Sequence, residues 1–273
     1  MVKTNSEVMN ICTTDGVTYL KYKIYENIDY VNHAVSTRHG GVSRGEALGS
    51  LNLGYNTKDT KENVTKNYEI FCGAAGFDSH NLVFGFQTHS ANVRYVTEAD
   101  RGKGIYKDKD YTDVDALITD RAGVALVIHT ADCVPITFLD TVNKAIGNAH
   151  CGWRGTYQGL AQITLYEMSK RFGTDPKNVI CTIGPAICKE CYEVSEELYN
   201  DFINRFGFED AITNEENKYY LDLMAINKHI LQNAGVRKIA VSDLCTRCNS
   251  DDLYSHRGLG PERGLMSSVI ELR

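Results

Sequence analysis

Along the chain, short apolar runs bounded by polar turns interleave with longer stretches whose apolar residues recur every three or four positions. Strict alternation over Val17–Ile24 predicts a strand, and Asn32–Ser36 predicts another that feeds a glycine-bearing loop, Arg38–Gly45. Thr60–Ala75 reads as a helix with Val64, Tyr68, Phe71 and Cys72 on one stripe. Asn92–Thr97 is strand-like. Ala116–Thr119, Val124–His129, Val134–Leu139 and Lys144–His150 are short apolar runs of the kind buried strands show. One amphipathic helix is expected over Gly155–Phe172, then a strand over Val179–Gly184. Helices follow over Ser195–Phe206 and Leu221–Ala234, the second closed by Gly235, and Lys238–Ser242 ends the set as a strand. The strands cluster rather than alternating strictly with helices, which favours an α+β or mixed architecture. With four prolines, no repeat and no linker, residues 1–273 read as one continuous domain.

Composition narrows the function classes. The net charge of −6 argues against non-specific binding to nucleic acid or to an anionic membrane, though not against a small anion in a local basic pocket. The start of the chain has no apolar core of signal-peptide length, and no window suits a transmembrane helix, so the cytoplasm is the expected location. Nine cysteines, an odd number, do not suggest a disulfide framework in a reducing compartment. Some are expected as small buried hydrophobes and others as candidates for chemistry.

Three segments place metal-capable side chains where a predicted strand meets a loop: Gln87–Val93 with His89, His129–Ile136 with Cys133, and Asn148–Gly155 with His150. Two imidazoles and one thiolate suit zinc and leave a fourth position for water or substrate. The alternative is three satisfied core residues. Asp132, beside Cys133, is a candidate proton relay or a simple turn cap. Arg38, His39, Arg154 and the amides of Gly40 and Gly41 are candidates for holding an anion. Trp153 and His129 read as core residues, and His33, His80, His229 and His256 carry no supporting pattern.

Other motifs need weighing. Gly41-Val-Ser43-Arg-Gly45 matches a nucleophile elbow, but the glycine-broken segment after it does not open a helix. Cys188-Lys-Glu-Cys191 and Cys245-Thr-Arg-Cys248 are two Cys-x-x-Cys pairs, far too distant for a zinc ribbon. They could still converge as a structural zinc knot, since closing a long loop adds little entropy; otherwise Cys191 and Cys245 belong to packed motifs. Eight histidines without a His-x-His pair disfavour laccase chemistry, although copper could enter a His/Cys site adventitiously. No nucleotide-cofactor fingerprint is present.

The segments Ser36–Ser43, Gln87–Val93, Thr130–Ile136, Gly147–Thr156, Ile183–Ile187, Cys191–Val194 and Asp243–Cys248 together resemble the YfiH/YlmD family, once labelled multicopper polyphenol oxidase and including the animal protein FAMIN. The resemblance runs from about residue 35 to the C-terminus. It implies a mixed β-sandwich flanked by helices and a zinc site made by His89, Cys133 and His150. It also implies phosphorolysis of purine nucleosides and methylthioadenosine, with phosphate as co-substrate, and deamination of adenosine. In the deaminase reading, zinc activates water for attack at purine C6 on a scaffold without the usual zinc-deaminase signature. A second expectation from the family is a cysteine hydrolase editing a peptidoglycan precursor through Cys133 and His150. A third is copper-dependent polyphenol oxidation, and a binding protein would need neither metal nor Cys133.

Overall fold

The computed structural model describes residues 5–273. The strands are β1 (Met9–Thr14), β2 (Val17–Tyr22), β3 (Val31–Ser36), β4 (Leu82–Phe84), β5 (Val93–Tyr95), β6 (Ala116–Thr119), β7 (Ala125–Thr130), β8 (Val134–Asp140), β9 (Ala145–Cys151), β10 (Val179–Ile183), β11 (Glu193–Val194), β12 (Ile212–Glu215), β13 (Lys218–Leu221), β14 (Lys238–Val241) and β15 (Met266–Leu272). The helices are α1 (Lys61–Ala75), α2 (Trp153–Gln158), α3 (Leu160–Phe172), α4 (Glu196–Phe206), α5 (Leu223–Asn233) and α6 (His256–Leu259).

Two six-stranded mixed sheets form a sandwich. The first has the order β1-β2-β3-β15-β7-β4 and the second β14-β10-β8-β9-β6-β5; a small sheet, β11-β13-β12, stands apart. Alternation along the strands divides the core into layers. In β9, Ile146 faces the sandwich interior with Leu126 of β7 and Ile270 of β15. Ala145, Ala149 and Cys151 face the other way, with Leu165 and Met168 of α3 and Ile226 of α5. Outside the first sheet, Val127 packs with Val64, Tyr68 and Phe71 of α1, the stripe read from the sequence. The layer order is therefore α1, sheet, sheet, and the remaining long helices. This is the α+β sandwich with flanking helices expected above.

Polar links span the sandwich. Asn148 of β9 donates to the carbonyls of Leu126 (3.0 Å) and Ser268 (2.8 Å) in the opposite sheet. Such buried bonds fix how the sheets sit over one another, because a slip would strand the amide in an apolar layer.

Several boundaries differ from the sequence reading. The expected helix Gly155–Phe172 is two helices, broken at Gly159, whose φ of +82° no helix continues through. Val17–Ile24 ends as a strand at Tyr22 and passes into a short 3₁₀ turn. Helix α5 begins after Asp222, whose side chain accepts from the Ala225 amide at 2.9 Å, so Leu221 closes β13 instead. The sequence reading had no β1, β4, β11, β12, β13 or β15. The last omission matters most, because β15 pairs antiparallel with both β3 and β7 at the centre of the first sheet.

Ile270 is fully buried in β15, facing the sandwich interior. Ile270→Ala is expected to lower stability by about 2–5 kcal/mol in urea denaturation. A loss of a few tenths of a kcal/mol would contradict a central, well-packed β15.

Candidate metal centre

Three chain segments meet at one end of the sandwich. His89 lies in the loop after β4. Cys133 lies in the turn where the chain leaves β7 in one sheet and enters β8 in the other. His150 is near the end of β9. One donor atom from each lies within 4.8 Å of the others. The imidazoles of His89 and His150 have centroids 4.9 Å apart and are inclined at 69°. His89 is exposed, Cys133 half-buried and His150 buried, so the group opens to solvent on the His89 side. All three donors picked from the sequence come together.

The residue that organises them was not picked. Asp115, fully buried just before β6, accepts from His150 Nδ1 at 2.8 Å and from the His89 amide at 3.1 Å through one oxygen. Its other oxygen accepts the Thr88 amide at 2.9 Å, the Ser90 amide at 2.8 Å and the Ser90 hydroxyl at 3.0 Å. Three consecutive amides thus converge on one carboxylate, an anion nest. The nest holds His89 at a φ of +65°, a left-handed conformation that costs a non-glycine residue about 1 kcal/mol or more. The β6–β9 register, Ala116 opposite Ala149, puts Asp115 beside His150, whose amide donates to the Asp115 carbonyl at 2.8 Å. Gln87 anchors the same loop by exchanging two 2.8 Å bonds with the backbone of His129 on β7. The only sequence trace of this role is an aspartate heading an apolar strand, which resembles any turn carboxylate.

Electrostatics follow from the geometry. Burial pushes the Asp115 carboxyl up, but the bonds from His150 and the amides outweigh it and hold it at about 2. Burial likewise raises Cys133, yet the charge and hydrogen bond of His150, with those of His89, bring the thiol down to about 6. Burial lowers His150, and Cys133 with Asp115 more than reverse this, to about 9. Without metal the pair is thiolate and imidazolium at neutral pH. Gly152 completes the wall, because a Cβ there would lie 3.0 Å from Cys133 Sγ and 2.9 Å from His89 Cδ2.

The other expected residues fall around this centre. Asp132, at a φ of +84°, accepts from the Thr246 hydroxyl at 2.6 Å and the Arg257 amide at 2.7 Å, so both its oxygens tie the Cys133 turn to the C-terminal region. Arg154 is exposed on α2, with its guanidinium 4.2 Å from the Trp153 ring. Arg38 donates to the carbonyls of Ser250 and Glu46, and the Gly40 and Gly41 amides donate to the Ser50 hydroxyl. His39 bonds Asp252 at 2.8 Å. Ser43 is buried and donates to Asp59, in a loop rather than at a strand–helix elbow. Sequence reasoning also missed Arg263, which lies within electrostatic range of Asp132 and Cys133 and whose buried Nε has no hydrogen-bond partner among the described residues. His33, His129 and His229 are engaged with the Tyr22 amide, the Tyr68 hydroxyl and Asp210, so a multinuclear copper centre would have to break those bonds.

Residues 32–273 match the family model described as multi-copper polyphenol oxidoreductase laccase. The chain belongs to the YfiH/YlmD family. It is similar to the purine nucleoside phosphorylase YlmD of Bacillus subtilis, with 33% identity over 246 residues, 87% of each chain. It is also similar to adenosine deaminase RL5 of an unknown prokaryotic organism, with 32% identity covering 85% of this chain and 90% of that one. The crystal structure of Bacillus licheniformis YfiH superposes with a TM-score of 0.89 at 31% identity, over 98% of this chain and 100% of that one. As a YfiH/YlmD protein the chain shares their fold throughout, and no helix among its described residues is long and apolar enough to cross a membrane.

Two outcomes test this geometry. Asp115→Asn is expected to weaken zinc binding about 10- to 100-fold in calorimetric titration, as loss of a carboxylate behind a ligating histidine does. Unchanged affinity would contradict the organising role of Asp115. In metal-free protein, alkylation of Cys133 by iodoacetamide should accelerate as pH rises through about 6, where its thiolate forms, well below the ordinary thiol range. Zinc should block it, and an inflection near 9 without metal would contradict the ion pair.

Proposed function

We propose that this chain is a zinc-dependent purine nucleoside enzyme, phosphorolysing adenosine, inosine and methylthioadenosine and deaminating adenosine. The observation that carries the reading is the convergence of His89, Cys133 and His150 in front of Asp115, in a chain whose relatives are named purine nucleoside phosphorylase and adenosine deaminase. The donors fit zinc: two nitrogens and a sulfur, with the thiol already disposed to ionise and an open side at His89. When bound, zinc would supply a Lewis acid on the exposed His89 side of the group.

The chain's own residues do the rest. Asp115 keeps the proton of His150 on Nδ1, leaving the Nε2 lone pair for the metal. In phosphorolysis the bond between the purine and the sugar breaks as a phosphate oxygen bonds the sugar carbon, giving the free base and a sugar 1-phosphate. Phosphate is held by Arg154 and Arg263, whose planar donors suit its oxygens. Arg38 and His39 line the substrate side from a loop tied by Asp252 to the same C-terminal region. In deamination water adds at purine C6 and ammonia leaves. The cytoplasm is the proposed location.

A second reading rests on a specific feature. A Cys133 thiolate against a His150 imidazolium, with Asp115 behind, is also the arrangement of a cysteine hydrolase, here one acting on a peptidoglycan precursor.

Chromatography of adenosine and inosine incubated with zinc-loaded protein distinguishes the two. Free base is expected only when phosphate is present, and inosine from adenosine without it. Both activities should fall about 100-fold or more in Cys133→Ser and on chelation. Nucleosides recovered intact under every condition would overturn the proposal. Activity that survives metal removal but not alkylation would transfer support to the hydrolase.

A further inference from the structure

We infer that Cys188, Cys191, Cys245 and Cys248 form a second, structural zinc site that clamps together the two loops framing the first. The four sulfurs lie within 4.8 Å of one another, and Cys191 Sγ is 3.5 Å from Cys248 Sγ. Four thiolates about 2.3 Å from a tetrahedral zinc are separated by about 3.8 Å, so these sulfurs are already gathered at the required scale.

The backbone explains the gathering. Each Cys-x-x-Cys folds as a tight turn: the Cys191 amide donates to the Cys188 carbonyl at 3.2 Å, and the Asn249 amide to the Cys245 carbonyl at 3.1 Å. A parallel bridge pairs Ala186 with Cys245, and the Thr246 amide donates to the Ala186 carbonyl at 3.1 Å, setting the turns side by side. The buried Cys245 sulfur accepts amides from both turns, Cys188 N at 3.3 Å and Cys248 N at 3.4 Å. Two amides directed at one sulfur stabilise a thiolate. All four cysteines are free of disulfides, and the exposed Cys248 gives an ion access. Binding Zn²⁺ displaces the remaining thiol protons and leaves a net charge of −2, beside Lys189 in one turn and Arg247 in the other. Four protein ligands close the coordination sphere, which makes the site structural and not catalytic.

Its position gives it a purpose. Tyr192, next to Cys191, lies within electrostatic range of Cys133 and Arg154. Thr246, next to Cys245, bonds Asp132, and the Ile187 amide donates to the Asp132 carbonyl at 3.1 Å. The clamp therefore holds both loops against the turn that carries Cys133.

Elemental analysis of the full chain, purified under reducing conditions and loaded with zinc, tests this. Two zinc ions per chain are expected in the wild type. One should remain in Cys133→Ala, and one in the double variant Cys188→Ala, Cys248→Ala. Should the double variant fail to fold, Cys133→Ala loaded with cobalt decides the matter. The expected result is the intense sulfur-to-cobalt charge transfer and visible bands of a tetrahedral tetrathiolate. A single zinc in the wild type with none in Cys133→Ala would overturn the inference. So would a Cys191–Cys248 disulfide found by mass analysis of the loaded protein, or iron in place of zinc.

Discussion

The centre depends on one buried carboxylate. Asp115 is charged because five donors are aimed at it from His150 and the Thr88–Ser90 loop, and those groups stay in place because the charge is there. A neutral side chain of similar size could accept some of these bonds but would leave others without a partner in a region where water cannot compensate. The strained backbone at His89 is affordable only inside that arrangement. A candidate donor carried on a loop is thereby held as firmly as one on a strand.

Asp132 works in the opposite direction. It does not face the donors; it fastens the turn before Cys133 to residues more than a hundred positions later. The centre is thus held from behind by Asp115 and from the side by Asp132, with Gly152 leaving room that any side chain would fill. The YfiH/YlmD fold supplies the strand ends, and these two carboxylates convert them into a fixed geometry.

Much of this was legible in the sequence, and the limits have physical causes. Helices α1 and α4 announce themselves by their apolar stripes and by Thr60 and Ser195 as caps. His89, Cys133 and His150 stand out because histidine and cysteine at strand ends have few bland uses. Strand β15 escaped because Ser267, Ser268 and Glu271 break its apolar run, although all three are buried. They are tolerated where neighbouring side chains satisfy them, as Tyr68 does for the Ser267 hydroxyl and Asn81 for Glu271. Asp115 was missed because its partners are mostly backbone amides, which no residue pattern reveals. The break at Gly159 could have been suspected, but one glycine inside a helical period is often continued through.

The position of β15 has a consequence for how the protein comes into being. Its partner β3 precedes it by more than two hundred residues, and all of these must emerge before β15 can fill the gap between β3 and β7. Contacts of such long sequence separation form slowly. The C-terminal region that secures Asp132 arrives at the same late stage. During synthesis the turn that carries Cys133 therefore stands beside an incomplete sheet, and it gains its ties to Thr246 and Arg257 only when that late region has been made.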